Sequence, residues 1–137
     1  MPRMSVPTEA QDYKPQELLS NGKYSLRTTR GNPAGNSVVL SVEVLDGPTQ
    51  ADNSNPQGRE FDFFVTAKFD NITKESFKRQ LIDKYGAMLA CHEVTVDADG
   101  TFDTDDLAGR EYEAVVSRRR DQNGIMKNEV REFLVAE

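Results

Sequence analysis

The stretch from residue 37 to residue 45, SVVLSVEVL, is the feature that most restricts how this chain can fold. Val38, Leu40, Val42 and Val44 recur there at every second position. A period of two places these four side chains on one face of a strand, and the many β-branched residues favour a strand over a helix. The stretch therefore predicts a β-strand with one buried face, which needs neighbouring strands as partners.

Residues 23–30 show the same alternation, with Tyr24, Leu26 and Thr28 on one face. Residues 31–36 (GNPAGN) separate this run from the strand that follows, and their Gly, Asn and Pro content is typical of a turn. The two runs are therefore predicted to pair as a hairpin.

A third strand is predicted over residues 59–66, after a polar loop that is rich in Gly, Pro and Asn. Phe61, Phe63 and Val65 alternate in this strand and are expected to face the core. Phe64 then points to the opposite side of the strand.

One helix is predicted after the third strand, with Thr73 as its N-cap and with Ile72 and Phe77 at the positions of a hydrophobic staple. Apolar residues follow at helical spacing and form one stripe: Phe77, Leu81, Ile82, Tyr85, Met88 and Leu89. This pattern is typical of an amphipathic helix.

Two further strands are predicted on either side of an Asn123-Gly124 pair, which is a strong hairpin signal. The first carries Tyr112 and Val116 on one face, and the second spans roughly residues 125–135. The chain is thus predicted to be mainly β with one α-helix, which lies between strands 3 and 4. This is the element order of the OB-fold, a five-stranded Greek-key barrel that commonly binds oligonucleotides or oligosaccharides.

Composition restricts the domain organisation and the cell compartment. The 137 residues fit one domain, which we divide into a flexible N-terminal arm over residues 1–21 and an OB-fold-like domain over residues 22–137. No apolar run has the length of a membrane span, and the first residues do not look like a secretory signal. A single cysteine excludes an internal disulfide framework, so a reducing, cytoplasmic location is expected.

Several segments give the chain a resemblance to a known family. These are residues 21–24 (NGKY), 35–48, 58–64 (GREFDFF), 106–110 (DLAGR) and 127–133. Over about residues 21–135 the chain resembles a family of small phage single-stranded-DNA-binding proteins with an OB-fold core. The resemblance implies a role in phage DNA replication or recombination, and it does not assign the residues that contact DNA.

A single-stranded nucleic-acid site needs positive charge along the backbone path and flat rings on which bases stack. The residues predicted to provide them are Arg27, Arg30, Phe64, Lys68, Arg118, Arg119, Arg120, Lys127 and Arg131. Phe64 is the candidate ring, and the alternative is that it packs under the helix or at a dimer contact. For the arginine run, the alternative is a solvated strand end, with Arg118 and Arg120 on one face and Arg119 on the other.

An acidic stretch precedes the fourth strand and partly matches an EF-hand calcium loop when Gly100 takes the sixth position. The ligand positions are then occupied by Asp97, Asp99, Asp103 and Asp106. The match is partial, because Thr95 stands at the first position and the twelfth position holds Asp instead of Glu. We interpret the stretch as an acidic surface loop with a turn at residues 97–100, and no metal or cofactor is expected.

No catalytic residue is predicted. Cys91 and His92 are adjacent in sequence, but no third group that would orient them as nucleophile and base can be assigned. Cys91 is interpreted as a small apolar residue at the end of the helix. The chain contains no phosphate-binding glycine loop, zinc motif or nucleophile elbow, so it is not expected to be an enzyme.

The sequence therefore predicts sequence-independent binding of single-stranded DNA in phage DNA replication, recombination or repair. Phage replication or recombination proteins and other copies of the chain are further expected partners. No association with a membrane is expected. The alternative is a non-enzymatic protein-interaction or assembly module on the same barrel, which the net charge of −6 and the acidic loop favour. Salt dependence separates the two, because phosphate binding is expected to weaken steeply as salt rises, whereas binding through an apolar interface need not.

Overall fold

The computed structural model describes residues 2–11 and 18–135. The strands are β1 (Gly22–Ala34), β2 (Ser37–Asp46), β3 (Glu60–Thr66), β4 (Glu111–Arg120) and β5 (Met126–Leu134). The helices are the short α1 (Thr8–Gln11) and the long α2 (Glu75–Cys91), and a 3₁₀ turn at Thr104–Leu107 precedes β4. Within the described ranges, none of the helices has the length and apolar character needed to cross a bilayer.

The strands form one antiparallel sheet in the order β3-β2-β1-β4-β5. β1 is the central strand, since it pairs with β2 on one side and, through its first half, with β4 on the other. The edge strands β3 and β5 approach each other, and the ring centroids of Phe63 and Phe133 are 6.1 Å apart. α2 contacts both edge strands. The predicted mainly-β class, with five strands and a helix between the third and fourth, is confirmed.

The core lies on the predicted inward faces of the strands. Leu40, Val42 and Val44 of β2 are 0–1% exposed, as are Tyr24 and Leu26 of β1. Each fully buried side chain of this size contributes about 1.5–3 kcal/mol relative to an exposed one. Burial of the alternating positions therefore fixes which face of each strand points outward, because a slip of one residue would reverse the faces.

β1 is longer than predicted. The turn predicted over residues 31–36 is wrong in its first part, because β1 continues to Ala34 and only Gly35 and Asn36 turn the chain. A register irregularity follows Thr28, and the ladder to β4 ends where Arg27 meets Glu111. Beyond that point β1 does not pair with β4. The proline at residue 33, which has no backbone N–H, is therefore tolerated in β1 because no hydrogen bond to β4 is needed there.

The start of α2 also differs from the prediction. Lys74 precedes the first helical residue and makes no side-chain cap bond, so Thr73 is not the N-cap. The shift takes Ile72 and Phe77 off the staple positions, and Phe77 is 46% exposed. Of the predicted stripe only Met88 is fully buried. The C-terminal half of α2 packs on the core, and the first turns project from it.

The domain begins before the predicted boundary. Leu19 is 1% exposed, and both its backbone N–H and its carbonyl bond to the side chain of Asn128. Residues 18–21, which the sequence placed in the arm, are therefore part of the folded unit. In the rest of the predicted arm, the described side chains of residues 2–11 are exposed. The side chain of residue 9, and residues 1 and 12–17 as a whole, lie outside the described structure.

Candidate nucleic-acid interface

The outer face of β1, β2 and β3 carries the exposed ring that the sequence predicted. The strand registers align outward-facing residues into rows that cross all three strands. One row consists of Asn32, Val39 and Phe64, and the next consists of Arg30, Ser41 and Asp62. Successive residues on one face of a strand are about 7 Å apart, so Asp62 is the neighbour of Phe64 along β3.

Phe64 is 63% exposed, whereas the adjacent Phe63 is 3% exposed. The prediction that Phe64 turns away from the core is therefore confirmed. The alternative that it packs under the helix is wrong, since α2 does not cover this exposed ring. Its row continues on β2 and β1 with Val39 and Asn32, which carry no charge.

A shallow open depression of about 380 Å³ lies beside this row. Its walls are Thr29, Arg30, Ser41, Val42, Glu60 and Asp62. It thus combines one guanidinium, two carboxylates and two hydroxyls next to an exposed aromatic ring. Such a surface can stack a ring and form directed hydrogen bonds to its edge.

Three of the predicted cations are held in ion pairs. Arg27 Nη2 lies 2.8 Å from Glu43 Oε1 across the β1–β2 ladder. Arg119 Nη1 lies 3.7 Å from Glu129, and Lys127 Nζ lies 3.2 Å from Asp121. Because each of these charges has a carboxylate partner, none of them is fully available to a phosphate.

Two further arginines serve the backbone. The guanidinium of Arg118 donates from Nε to the carbonyl of Leu19 at 3.0 Å and from Nη2 to that of Leu18 at 2.7 Å. Arg120 Nη1 donates to the carbonyl of Gly124 at 2.9 Å within the β4–β5 turn. The geometry gives these two side chains structural roles at the strand end.

Arg30, Lys68 and Arg131 have no carboxylate within 4.0 Å in the described ranges. Arg30 lies in the row beside Phe64. Lys68 follows β3, and its backbone N–H bonds to the carbonyl of Asn36 at 3.0 Å, which places it at the β1–β2 turn. The structure therefore places Arg30 and Phe64 in neighbouring rows of one sheet face and Lys68 beside the β1–β2 turn. Arg131 and Lys127 are on β5, and the arginine run is on β4.

Sequence reasoning missed a chain of hydrogen-bonded polar side chains in the buried core. Thr28 Oγ1 lies 2.7 Å from His92 Nε2 and 2.9 Å from the hydroxyl of Tyr112, and His92 Nδ1 lies 2.7 Å from the carbonyl of Met88. The carbonyl can only accept, so Nδ1 donates to it, Nε2 accepts from Thr28, and Thr28 accepts from Tyr112. Burial lowers the pKa of His92 and raises the pKa of Tyr112. No local signal reveals this chain, because Thr28 and His92 are 64 residues apart.

Cys91 and His92 have separate partners in the structure. Cys91 Sγ donates to the carbonyl of Leu134 at 3.6 Å, and its pKa is raised by burial. The His92 ring is fully buried and bonds to Thr28 and Met88. The arrangement thus gives the two residues packing and hydrogen-bonding roles at the end of α2.

The acidic stretch forms the predicted turn. The N–H of Gly100 donates to the carbonyl of Asp97 at 2.9 Å, and the N–H of Asp97 donates to the carbonyl of Thr101 at 2.8 Å. A φ of +82° at residue 100 suits its glycine. In the described part of the chain, no three His, Cys, Asp or Glu side chains converge to form a metal site.

No protein-family model matches the chain, and no curated protein matches it. The resemblance to phage single-stranded-DNA-binding proteins therefore stays a prediction.

Proposed function

We propose that the chain is an OB-fold protein that binds single-stranded DNA on the outer face of β1, β2 and β3. The strand order β3-β2-β1-β4-β5 supports this fold, since bringing β3 against β5 closes such a sheet into the OB barrel. The approach of Phe63 to Phe133 and the position of α2 between the two edges agree with that closure. OB-folds commonly bind their ligands on the face of strands 2 and 3.

The exposed ring of Phe64 is the observation that carries the proposal. An exposed aromatic ring on the surface of a sheet offers a flat face on which a nucleic-acid base can stack. Here the ring lies on β3, on the face that OB-folds use, with the neutral Val39 and Asn32 beside it. A base stacked on such a ring contributes roughly 1–3 kcal/mol of binding free energy, and every base has a face that can stack.

Phosphate contacts make a smaller contribution than in a strongly basic binder. Arg30 on this face and Lys68 beside the β1–β2 turn form no ion pair with described residues. Each phosphate neutralised on a single strand contributes about −0.7 to the slope of log K against log salt. With about two contacts the slope is roughly −1.4, so a tenfold rise in salt weakens binding about 25-fold.

The test is a titration of a labelled oligothymidine of about 15 nucleotides with the full chain, followed by fluorescence anisotropy across a salt series. The proposal predicts binding at low salt, a shallow negative salt slope and poor competition by duplex DNA, which hides the faces of its bases. Absence of binding at low salt, or equal competition by duplex, contradicts the proposal.

A second candidate, a protein-interaction module, is favoured by one separate observation. Ile125 and Met126 are 56% and 42% exposed and lie next to each other at the β4–β5 turn. Neighbouring apolar side chains in an exposed turn suit a protein contact that tolerates salt. If the anisotropy titration fails, a salt-insensitive partner captured by wild type, and lost on Ile125→Ser, supports this second function.

A further inference from the structure

We infer that Asp62 gives the proposed site a preference for guanine over thymine at the base that stacks on Phe64. The inference rests on the proposed single-stranded-DNA function and adds a specificity to it. It starts from the row geometry on the outer face of β3, where Asp62 and Phe64 are successive outward-facing residues. Their spacing of about 7 Å lets an edge of a stacked base approach the carboxylate.

Asp62 is available for a ligand. It is exposed, it lines the depression beside the ring, and it forms no hydrogen bond or ion pair with another described residue. Arg30 occupies the same row on β1 with Ser41 between them, so the local charge of the row is balanced. Because the charge of Arg30 offsets that of Asp62, this carboxylate repels the DNA strand less than an isolated negative charge does.

An ionised carboxylate only accepts hydrogen bonds. The Watson–Crick edge of guanine presents two adjacent donors, N1–H and the N2 amino group, which match the two oxygens of one carboxylate. The corresponding edge of thymine presents one N–H between two carbonyl oxygens, and these oxygens repel the oxygens of the carboxylate. In a single strand this edge is free to be recognised, since no partner base covers it. A purine also extends farther beyond the phenyl ring than a pyrimidine does.

Glu60 is the other carboxylate of the depression, and it is worse placed for this contact. It lies two positions before Asp62 and thus about 14 Å from Phe64 along the strand. Its neighbour across the ladder is Glu43, which is in an ion pair with Arg27. Glu60→Gln therefore removes the same charge from the same surface without removing the proposed recognition, and it serves as the matched control.

The experiment compares two oligonucleotides of about ten nucleotides, an oligothymidine and an alternating thymidine–guanosine oligomer, by anisotropy at low salt. The wild-type chain is expected to bind the alternating oligomer on the order of tenfold more tightly, as for one bidentate contact to a base. Asp62→Asn, which keeps the side-chain shape, is expected to bind both oligomers with nearly equal affinity. Glu60→Gln is expected to keep the preference.

Equal affinity of the wild-type chain for the two oligomers overturns the guanine preference while leaving the proposed DNA binding in place. A preference that survives in Asp62→Asn overturns the assignment to this residue. Binding of neither oligomer overturns the proposed function and this inference together.

Discussion

The side-chain amide of Asn128 on β5 bonds to both the backbone N–H and the backbone carbonyl of Leu19. Its Oδ1 accepts from the Leu19 N–H at 2.9 Å, and its Nδ2 donates to the Leu19 carbonyl at 3.1 Å. The amide thereby replaces a partner strand for a residue 109 positions earlier in the chain. Because the Leu19 side chain is 1% exposed, these two bonds hold an apolar anchor in the core.

Asn128→Ala is therefore expected to destabilise the fold by about 1–3 kcal/mol. The change leaves the buried backbone N–H of Leu19 without its partner and the Leu19 carbonyl with Arg118 as its remaining donor. An unsatisfied buried group costs about this amount. Urea unfolding followed by circular dichroism measures the difference in the free energy of unfolding. Gln122→Ala, a change at an exposed turn position, serves as the control, and an Asn128→Ala variant as stable as this control contradicts the role assigned to the amide.

Arg118→Ala and Arg119→Ala are expected to differ although the residues are adjacent. Arg118 bonds to the carbonyls of Leu18 and Leu19, so its loss loosens the segment before β1 and exposes it to cleavage. Arg119 contributes an exposed ion pair to Glu129, worth about 0–1 kcal/mol. Limited chymotrypsin digestion, which cleaves after leucine, is expected to cut Arg118→Ala near residues 18–19 faster than either Arg119→Ala or wild type. Equal cleavage rates would show that Arg118 does not hold the segment.

Substitution by alanine is expected to have opposite effects on stability at two glycines, Gly47 and Gly86. A Cβ on Gly47 would lie 2.2 Å and 2.6 Å from ring carbons of Tyr24, which is buried, so Gly47→Ala is expected to cost about 1–3 kcal/mol. A Cβ on Gly86 of α2 would meet nothing within 4 Å, so Gly86→Ala is expected to stabilise by about 0.5–1 kcal/mol. Thermal unfolding is expected to show a lower midpoint for Gly47→Ala and a higher midpoint for Gly86→Ala than for wild type. A Gly47→Ala variant with the same midpoint as wild type would contradict the close packing of Tyr24 against residue 47.

The buried His92 makes stability depend on pH. Burial lowers its pKa in the folded state below the ordinary value of 6.5, and the charge of Arg110 lowers it further, against the bond to the Met88 carbonyl. The unfolded chain therefore takes up a proton at a higher pH than the folded chain does. Stability is full above about pH 6.5 and falls as pH decreases below it, by up to about 1.4 kcal/mol per pH unit.

Urea unfolding at about pH 7.5 and about pH 5.5 tests this dependence. His92 is the single histidine of the chain, so it is the side chain expected to respond in this window. The carboxyls of Asp52, Asp99 and Asp121 have lowered pKa values, caused mainly by hydrogen bonds, and they act at lower pH. His92→Gln is expected to lose the dependence. A variant that keeps the full dependence would show that another group is responsible.

Local patterns were sufficient to predict the strands and the outward direction of Phe64. Alternation over residues 38–44 and 61–65 fixed the buried faces, because a face follows directly from a period of two. The extension of β1 to Ala34 was not predictable in this way. It depends on the irregularity after Thr28 and on the free side of β1 beyond Arg27, and both arise from the pairing of distant strands.

The charged part of the candidate site was less predictable than the ring. Arg27 and Arg30 look equivalent in sequence, yet the register places Glu43 opposite Arg27 and Ser41 opposite Arg30. Among the described residues, Arg27 acquires an ion pair and Arg30 does not. Which cations are available to a phosphate is thus decided by cross-strand neighbours. The hydrogen bonds of Asn128 and His92 were unpredictable for a similar reason, because their partners lie 109 and 64 residues away in the chain.

The most direct test of the account compares Phe64→Ala with Phe77→Ala for binding of labelled oligothymidine at low salt. Both changes remove an exposed phenyl ring, one from the outer face of β3 and one from the first turns of α2. Phe64→Ala is expected to weaken binding about 5- to 150-fold, which corresponds to one lost stacking contact, while Phe77→Ala binds like wild type. Equal binding by Phe64→Ala and wild type would contradict the placement of single-stranded DNA on this face.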